Sequence, residues 1–201
     1  MPKLKPLIDW SPKRYDKLSK NYDRFANWFF PIGELGIKKV LENMDSGYVL
    51  DIACGTGTLL DAAQQNGLKC IGVDLSSGML WETRRKNHSI NLVQASFYAL
   101  PFADNSLDFV VETNAVSGAD IKPEQILLEM ARVGKDGGEI LMGDYSRSEQ
   151  KGFWYQLMET IGILFGDYPH DYKNLFNSMG HEVQTENLGW GGMYLLIKVR
   201  L

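Results

Sequence analysis

Val49-Leu50-Asp51-Ile52-Ala53-Cys54-Gly55-Thr56-Gly57 is an apolar run that ends in an acid and then opens into two glycines separated by one residue. A helical pattern follows directly, over 58–66. A strand of this kind leads to the carboxyl edge of a sheet. Its glycines let a ligand approach the backbone, and the next helix turns its N-terminus toward that ligand. The pattern predicts a crevice for a nucleoside-like molecule. The spacing is not the dinucleotide G-x-G-x-x-G, because Leu60 stands where a third glycine would be.

On either side, strands and helices alternate. Strands are expected at 48–53, 69–74, 90–94, 107–112 and 138–143. Helices are expected at 58–66, from Ser76 to about 86, from Asp120 and Pro123 through Val133, at about 150–165, and at 171–179. Within 150–165, Trp154, Leu157, Met158, Ile161 and Phe165 share a face. Two further strands, 181–187 and 193–199, are joined only by a glycine-rich turn, so they should pair antiparallel. The fold expected is α/β: a Rossmann-like, doubly wound, seven-stranded sheet. It is mostly parallel with one antiparallel strand near the edge, and helices cover both faces.

Two more strand ends converge on the same edge. Asp74 closes the second strand, where a carboxylate can accept both hydroxyls of a ribose, with Leu75 as an apolar wall beside it. Gln94-Ala95-Ser96-Phe97 follows the third strand, within reach of a base edge. Asp51 also reads as a cap on local backbone amides, and Asp74 alone would be an ordinary strand-end acid. The preceding glycine loop favours the ribose role.

The chain has 201 residues, a length suited to one domain, and a net charge of −4 that argues against duplex DNA as a partner. Residues 1–30 carry seven Lys/Arg and three Asp, a net of +4, which leaves −8 on the remainder. This segment reads as helical and broken at Pro31, with Tyr15, Leu18, Tyr22, Phe25 and Phe29 on one face. Its basic outer face reads either as solvated or as a weak membrane-surface contact through residues 13–30. Neither a signal peptide nor a membrane span is evident, so a cytoplasmic location is expected. Cys54, Cys70 and three scattered histidines suggest no metal site.

Taken in order, these motifs resemble those of the class I S-adenosylmethionine-dependent methyltransferases. The likeness is to the group holding the ubiquinone/menaquinone-biosynthesis enzymes and the small bacterial phospholipid N-methyltransferases. VLDIACGTG (49–57) is similar to the first family motif, and GVDLS with Met79 to the second. LPFADNSLDFV (100–110) is similar to the LPF-x-D-x-S-x-D segment. Glu129 and Arg132, leading to Gly137-Gly138-Glu139-Ile140, resemble the E-x-x-R-V-L-K-P-G-G block, without its Leu and Pro. Tyr15-Asp16 and Tyr22-Asp23 resemble the N-terminal Tyr-Asp elements.

The resemblance implies S-adenosylmethionine as cofactor. Asp51 and the backbone of Ala53, Cys54, Gly55 and Gly57 would orient its methionine part. Asp74 would bind the ribose, Leu75 and Met79 would flank the adenine, and Phe97 would offer its N–H to the ring. Ser96 stands where the family has Asp. Thr113 would lie near the sulfonium and Tyr22 would close over the site. Residues 1–45 are expected to form a helical lid, 46–143 the cofactor-binding core, and 144–201 the substrate-side helices and last strands.

Acceptor-facing candidates are Tyr15, Tyr22, Asn114, Asp144, Tyr145, Trp154, Tyr155, Tyr168, His170 and Tyr172. Tyr22, Asn114 and His170 are the catalytic candidates, His170 being the one conventional base among them. The aromatic-rich stretch from Tyr145 to Trp190 favours a small apolar or aromatic acceptor, methylated by direct displacement. A peripheral-membrane phospholipid-headgroup enzyme and a cofactor-holding regulatory module are the alternatives.

Overall fold

The computed structural model describes residues 11–29, 32–118, 121–147, 152–165 and 168–201; the side chains of Pro12, Phe25, Asn27, Trp28, Phe29, Trp154, Met158, Phe165 and Trp190 lie outside the described set. Its seven strands are β1 (Tyr48–Ile52), β2 (Lys69–Asp74), β3 (Asn91–Gln94), β4 (Leu107–Thr113), β5 (Gly134–Tyr145), β6 (Val183–Gly189) and β7 (Tyr194–Arg200). They form one sheet of order β3-β2-β1-β4-β5-β7-β6. Strands β1 to β5 pair in parallel, and β7 runs antiparallel to both β5 and β6. The chain order reverses between β1 and β4, and at such a switch point the adjoining loops diverge and leave a crevice.

Helices cover both faces: α1 (Pro12–Leu18), α2 (Tyr22–Phe29), α3 (Ile32–Leu41), α4 (Thr58–Gln65), α5 (Ser77–Lys86), α6 (Pro123–Val133), α7 (Phe153–Phe165) and α8 (Tyr172–Ser178). Alternate residues of the central strands feed two cores. Leu50, Ile52, Val110, Ile140, Met142 and Ile197 pack against Ile126, Leu127, Met130 and Val133 of α6 and Tyr172 and Phe176 of α8. Val49, Phe109, Val111, Leu141 and Leu196 pack on the other face against Val40 of α3 and Leu59, Leu60 and Ala63 of α4. Burial on both faces is why these strands read as apolar runs instead of alternating.

Helix boundaries follow local chemistry. The Ser76 hydroxyl accepts the Met79 N–H at 3.1 Å to cap α5, and the Asp171 carboxylate accepts the Asn174 N–H at 3.1 Å to cap α8. Gly67 stops the α4 segment in a left-handed conformation, φ +83°. Pro123 opens α6 at its first turn, where a missing N–H costs nothing. Asp120 and Pro31 lie outside the described residues.

One expectation needs correction. The turn expected over 133–138 is a bulge inside a longer β5: Leu107 pairs with Gly134, but Phe109 pairs with Glu139. Five steps along β5 thus face two along β4. Gly137, at φ +80°, and Gly138, where a Cβ would sit 2.8 Å from the Asp108 carbonyl, permit the excursion. On α7, Leu157 is 38% exposed and Ile161 half-buried. Tyr155 of α7 is buried among Tyr145, Met193 and Tyr194.

Candidate active site

Ala53, Gly55 and Gly57 all take positive φ, at 53°, 54° and 81°. The left-handed turn costs an alanine on the order of 1 kcal/mol, a strain that sequences tolerate at ligand-facing loops. The three glycines of this region meet different surroundings. A Cβ on Gly57 would lie 2.4 Å from Thr83 Cγ2, and one on Gly72 would strike Leu60, Cys54 and Leu92. These two serve close packing. A Cβ on Gly55 would meet nothing within 4 Å, so the space above that peptide is open.

Asp51 is almost fully buried, and its Oδ1 has no hydrogen-bond partner among the described residues. Burial, and then the nearby Asp74 charge, holds its carboxyl well above the usual aspartate range. Asp74 accepts the Gly55 N–H at 2.8 Å on one oxygen and the Ser76 N–H at 2.8 Å on the other. It thereby ties the glycine loop to the start of α5. Each oxygen keeps a lone pair for a further donor. Burial raises the Asp74 pKa, and the two N–H bonds oppose that rise.

The Ser96 hydroxyl accepts the Tyr98 N–H at 3.2 Å, a local turn. Gln94 donates to the Leu75 carbonyl at 3.1 Å, and Phe97 packs edge-on against Tyr98 at 4.8 Å. Leu75 is half exposed, whereas Met79 is fully buried. Cys54 is buried, with its N–H on the Val73 carbonyl at 2.9 Å, and burial pushes its thiol pKa far up. It is an inert packing group.

On the far side of the switch point, Thr113 ends β4 opposite Gly143. Asn114 follows at φ +59°, its N–H on the Gly143 carbonyl at 3.1 Å and its buried Oδ1 without a partner among the described residues. Two acids that sequence reasoning did not pair lie just below. Glu112 is fully buried; it accepts the Ala115 N–H with one oxygen, and the other has no partner among the described residues. Asp144, also fully buried, accepts the Tyr145 N–H at 2.7 Å, the Tyr172 hydroxyl at 3.1 Å and the Val116 N–H at 3.2 Å. Burial pushes Asp144 up to about 6, and burial with the Asp144 charge holds Glu112 well above its normal range. Asp144, Tyr145, Tyr155 and Tyr172 are all buried.

The segment 12–29 is tied by its two aspartates to the start of α5 and to the glycine loop, a role the sequence reading assigned to no residue. Asp16 accepts the Ser76 hydroxyl at 2.6 Å and the Gly78 N–H at 2.9 Å. Asp23 accepts the Thr56 hydroxyl and pairs with Lys86. Gly78 makes the approach possible: a Cβ there would lie 2.9 Å from Asp16 Cα. Tyr15 and Tyr22 sit 5.9 Å apart, both half-buried. The signal for this contact was the repeated Tyr-Asp pair, whose acids accept hydrogen bonds from Ser76, Gly78 and Thr56.

His170 stands apart from this assembly. Its carbonyl accepts the Ser146 hydroxyl and the Arg147 N–H, both at 2.9 Å, and its ring lies 5.9 Å from Tyr172. It lines a cavity of about 420 Å³ with Pro123, Glu124, Arg147, Asp171 and Asn174, and no residue of the glycine loop borders that cavity. The remaining motif residues are structural. Arg132 donates to the Leu100 and Phe102 carbonyls at 2.9 Å and pairs with Glu129 and Asp104. The Leu100 N–H in turn bonds Glu129 at 2.8 Å, so the E-x-x-R block clasps the loop before β4.

The family described as a methyltransferase domain matches residues 50–142, which run from β1 into β5. The demethylmenaquinone methyltransferase of Corynebacterium urealyticum is 33% identical over 202 residues, covering 88% of this chain and 85% of that one. That of Renibacterium salmoninarum is 38% identical over 98 residues, 49% of this chain and 41% of that protein, so this chain spans less than half of it in the match. Among solved structures, the DhpI–SAH complex superposes with a TM-score of 0.71 at 16% identity, covering 94% of each chain. The chain belongs to the class I S-adenosylmethionine-dependent methyltransferases of the ubiquinone/menaquinone-biosynthesis type. It is a methyltransferase and its cofactor is S-adenosylmethionine. The crevice suits that molecule, offering an orphaned buried carboxylate, open space over Gly55, and a strand-end acid with lone pairs to spare.

Proposed function

We propose that this methyltransferase acts on a small apolar aromatic acceptor, a quinol of the kind named for its relatives, and methylates it at a ring carbon. The observation that carries this reading is the 33% identity to a demethylmenaquinone methyltransferase along 88% of the chain. S-adenosylmethionine, when bound, supplies an electrophilic methyl on a sulfonium. The transfer forms a carbon–carbon bond as the methyl–sulfur bond breaks, and the ring carbon then loses its proton. The protein's task is alignment and exclusion of water.

In this reading Asp51 and the peptides of Ala53, Cys54, Gly55 and Gly57 hold the methionine part. Asp74 takes the ribose hydroxyls. Leu75, Met79, Ser96 and Phe97 surround the adenine, and Thr113 faces the sulfonium. Tyr22, carried on the segment docked through Asp16 and Asp23, closes the site, so that residues 12–29 act as a lid over the core. Asn114, whose buried Oδ1 has no partner among the described residues, is the acceptor-side polar group best placed beside β4. His170 stays a candidate base from the α8 side.

The test is a reaction with methyl-labelled S-adenosylmethionine and a demethylated, short-chain naphthoquinol. Label on the ring carbon supports the reading. Label found only on phosphatidylethanolamine in a parallel reaction would replace it with the headgroup alternative.

A further inference from the structure

Helices α1 and α2, joined by a 3-10 turn over Ser19–Asn21, form one continuous helical segment. Lys13, Lys17, Lys20 and Arg24 recur along it at intervals of four, three and four residues, the spacing of a single helical stripe. All four are exposed, and Arg14 is exposed beside them. Among the described residues none of the five forms an ion pair with a carboxylate; the segment's own Asp16 and Asp23, which flank the stripe at three- and four-residue spacing, are engaged by Ser76, Gly78, Thr56 and Lys86. The acids hold the segment to the start of α5 and to the glycine loop, and the cations beside them stay exposed.

We infer that this exposed stripe is a docking surface for an anionic lipid bilayer. Charge complementarity selects that occupant. The chain is net negative, yet residues 1–30 hold seven Lys/Arg against three Asp, while the rest carries fourteen Lys/Arg against twenty-two Asp/Glu. A negatively charged plane attracts the stripe and repels the body, which fixes which side approaches. Trp81 adds a second element. It lies three residues beyond Gly78, on the side of α5 that carries α1, and is 56% exposed. An uncovered indole is a side chain that settles at a bilayer interface. A nucleic acid would meet the same cations but also the acidic body, and would gain nothing from a flat stripe one helix wide. Docking here would set the cofactor loop and its lid against the membrane. The inference rests on charge and exposure and stands whichever acceptor is methylated.

Flotation of the full chain on vesicles tests it. The protein should float with vesicles of phosphatidylcholine and phosphatidylglycerol at low salt, stay behind with phosphatidylcholine alone, and be released by high salt. The K13Q/K17Q/K20Q/R24Q variant should lose about tenfold or more in partitioning while retaining S-adenosylmethionine binding. Wild-type protein that does not float with the anionic vesicles overturns the inference. So does salt-insensitive flotation, or equal flotation of the folded variant. If the variant fails to fold, the salt series on the wild type still decides. Failure of the quinol assay with normal flotation would count against the acceptor alone.

Discussion

At Glu112 and Asp144, two enclosed carboxyls share one low-dielectric site, and the folded state holds protons there that the unfolded chain releases. The sign follows: where the native state binds more protons, stability falls as pH rises. The loss runs from the ordinary carboxylate range up through the raised value near 6 for Asp144. Glu112→Gln keeps the shape and the acceptor for the Ala115 N–H while removing one charge. It should stabilise the fold by about 1–3 kcal/mol at pH 8 and by little at pH 4.5. Chemical denaturation at both values checks this, and a variant destabilised at pH 8 would contradict it. Ser96→Asp is a second residue-scale test. A carboxylate can keep the Tyr98 N–H bond and offer a second oxygen to the adenine amino group, so cofactor binding should tighten; a sharp loss in a folded variant would remove Ser96 from the base pocket. Residues whose role depends on their own strand end, such as Asp74 and Gly55, were legible in the sequence. Glu112 and Asp144 were not legible as a pair, because they lie 32 positions apart and meet only through the pairing of β4 with β5. Asp16 was legible only as half of a Tyr-Asp motif, since its partners Ser76 and Gly78 belong to a different helix.

Among the elements, the α1–α2 segment is the one whose stability is separable from the sheet. It is held by a few hydrogen bonds that Asp16 and Asp23 accept, and in the proposed lid reading it opens for ligand exchange. The Ser76 hydroxyl and the Gly78 N–H hold the Asp16 carboxyl below its ordinary range. That contribution is present above the unfolded aspartate pKa and is lost as pH falls through the depressed one. The Asp16→Ala/Asp23→Ala variant should therefore exchange amides at 12–29 faster at neutral pH, with the amides of β1, β4 and β5 unchanged. Bound S-adenosylmethionine should slow exchange there in the wild type. Exchange at 12–29 indifferent to both changes would contradict the lid. Element types were readable from periodicity and from caps such as Ser76 and Asp171. The length of β5 was not, since Val133–Gly138 has the composition of a turn and is extended only because β4 and the chain end pair along it. On α7, the side chains of Trp154, Met158 and Phe165 lie outside the described set, and the contact with Tyr145 and Tyr194 is what buries Tyr155.

For the molecule as a whole, the alternation of strands and helices followed by two adjacent strands was enough to give the sheet, including the reversed β7. Each parallel pair needs a crossover helix, and a glycine-rich turn cannot supply one. The sheet order places β1 and β4 at the switch point, and the orphaned Asp51 oxygen, the open space over Gly55 and the acids of β2 and β4 gather along that edge. No helix among the described residues is long and apolar enough to cross a membrane, so any lipid contact is made from the surface. The central claim is that this edge holds S-adenosylmethionine with Asp74 on its ribose. Titration calorimetry measures it most directly. The wild type should bind S-adenosylmethionine and S-adenosylhomocysteine, and folded Asp74→Ala should bind both more weakly by about 1.5–3 kcal/mol, the usual range for hydrogen bonds lost to a charged acceptor. No heat with either ligand in the wild type, or an unchanged dissociation constant in the variant, would contradict it.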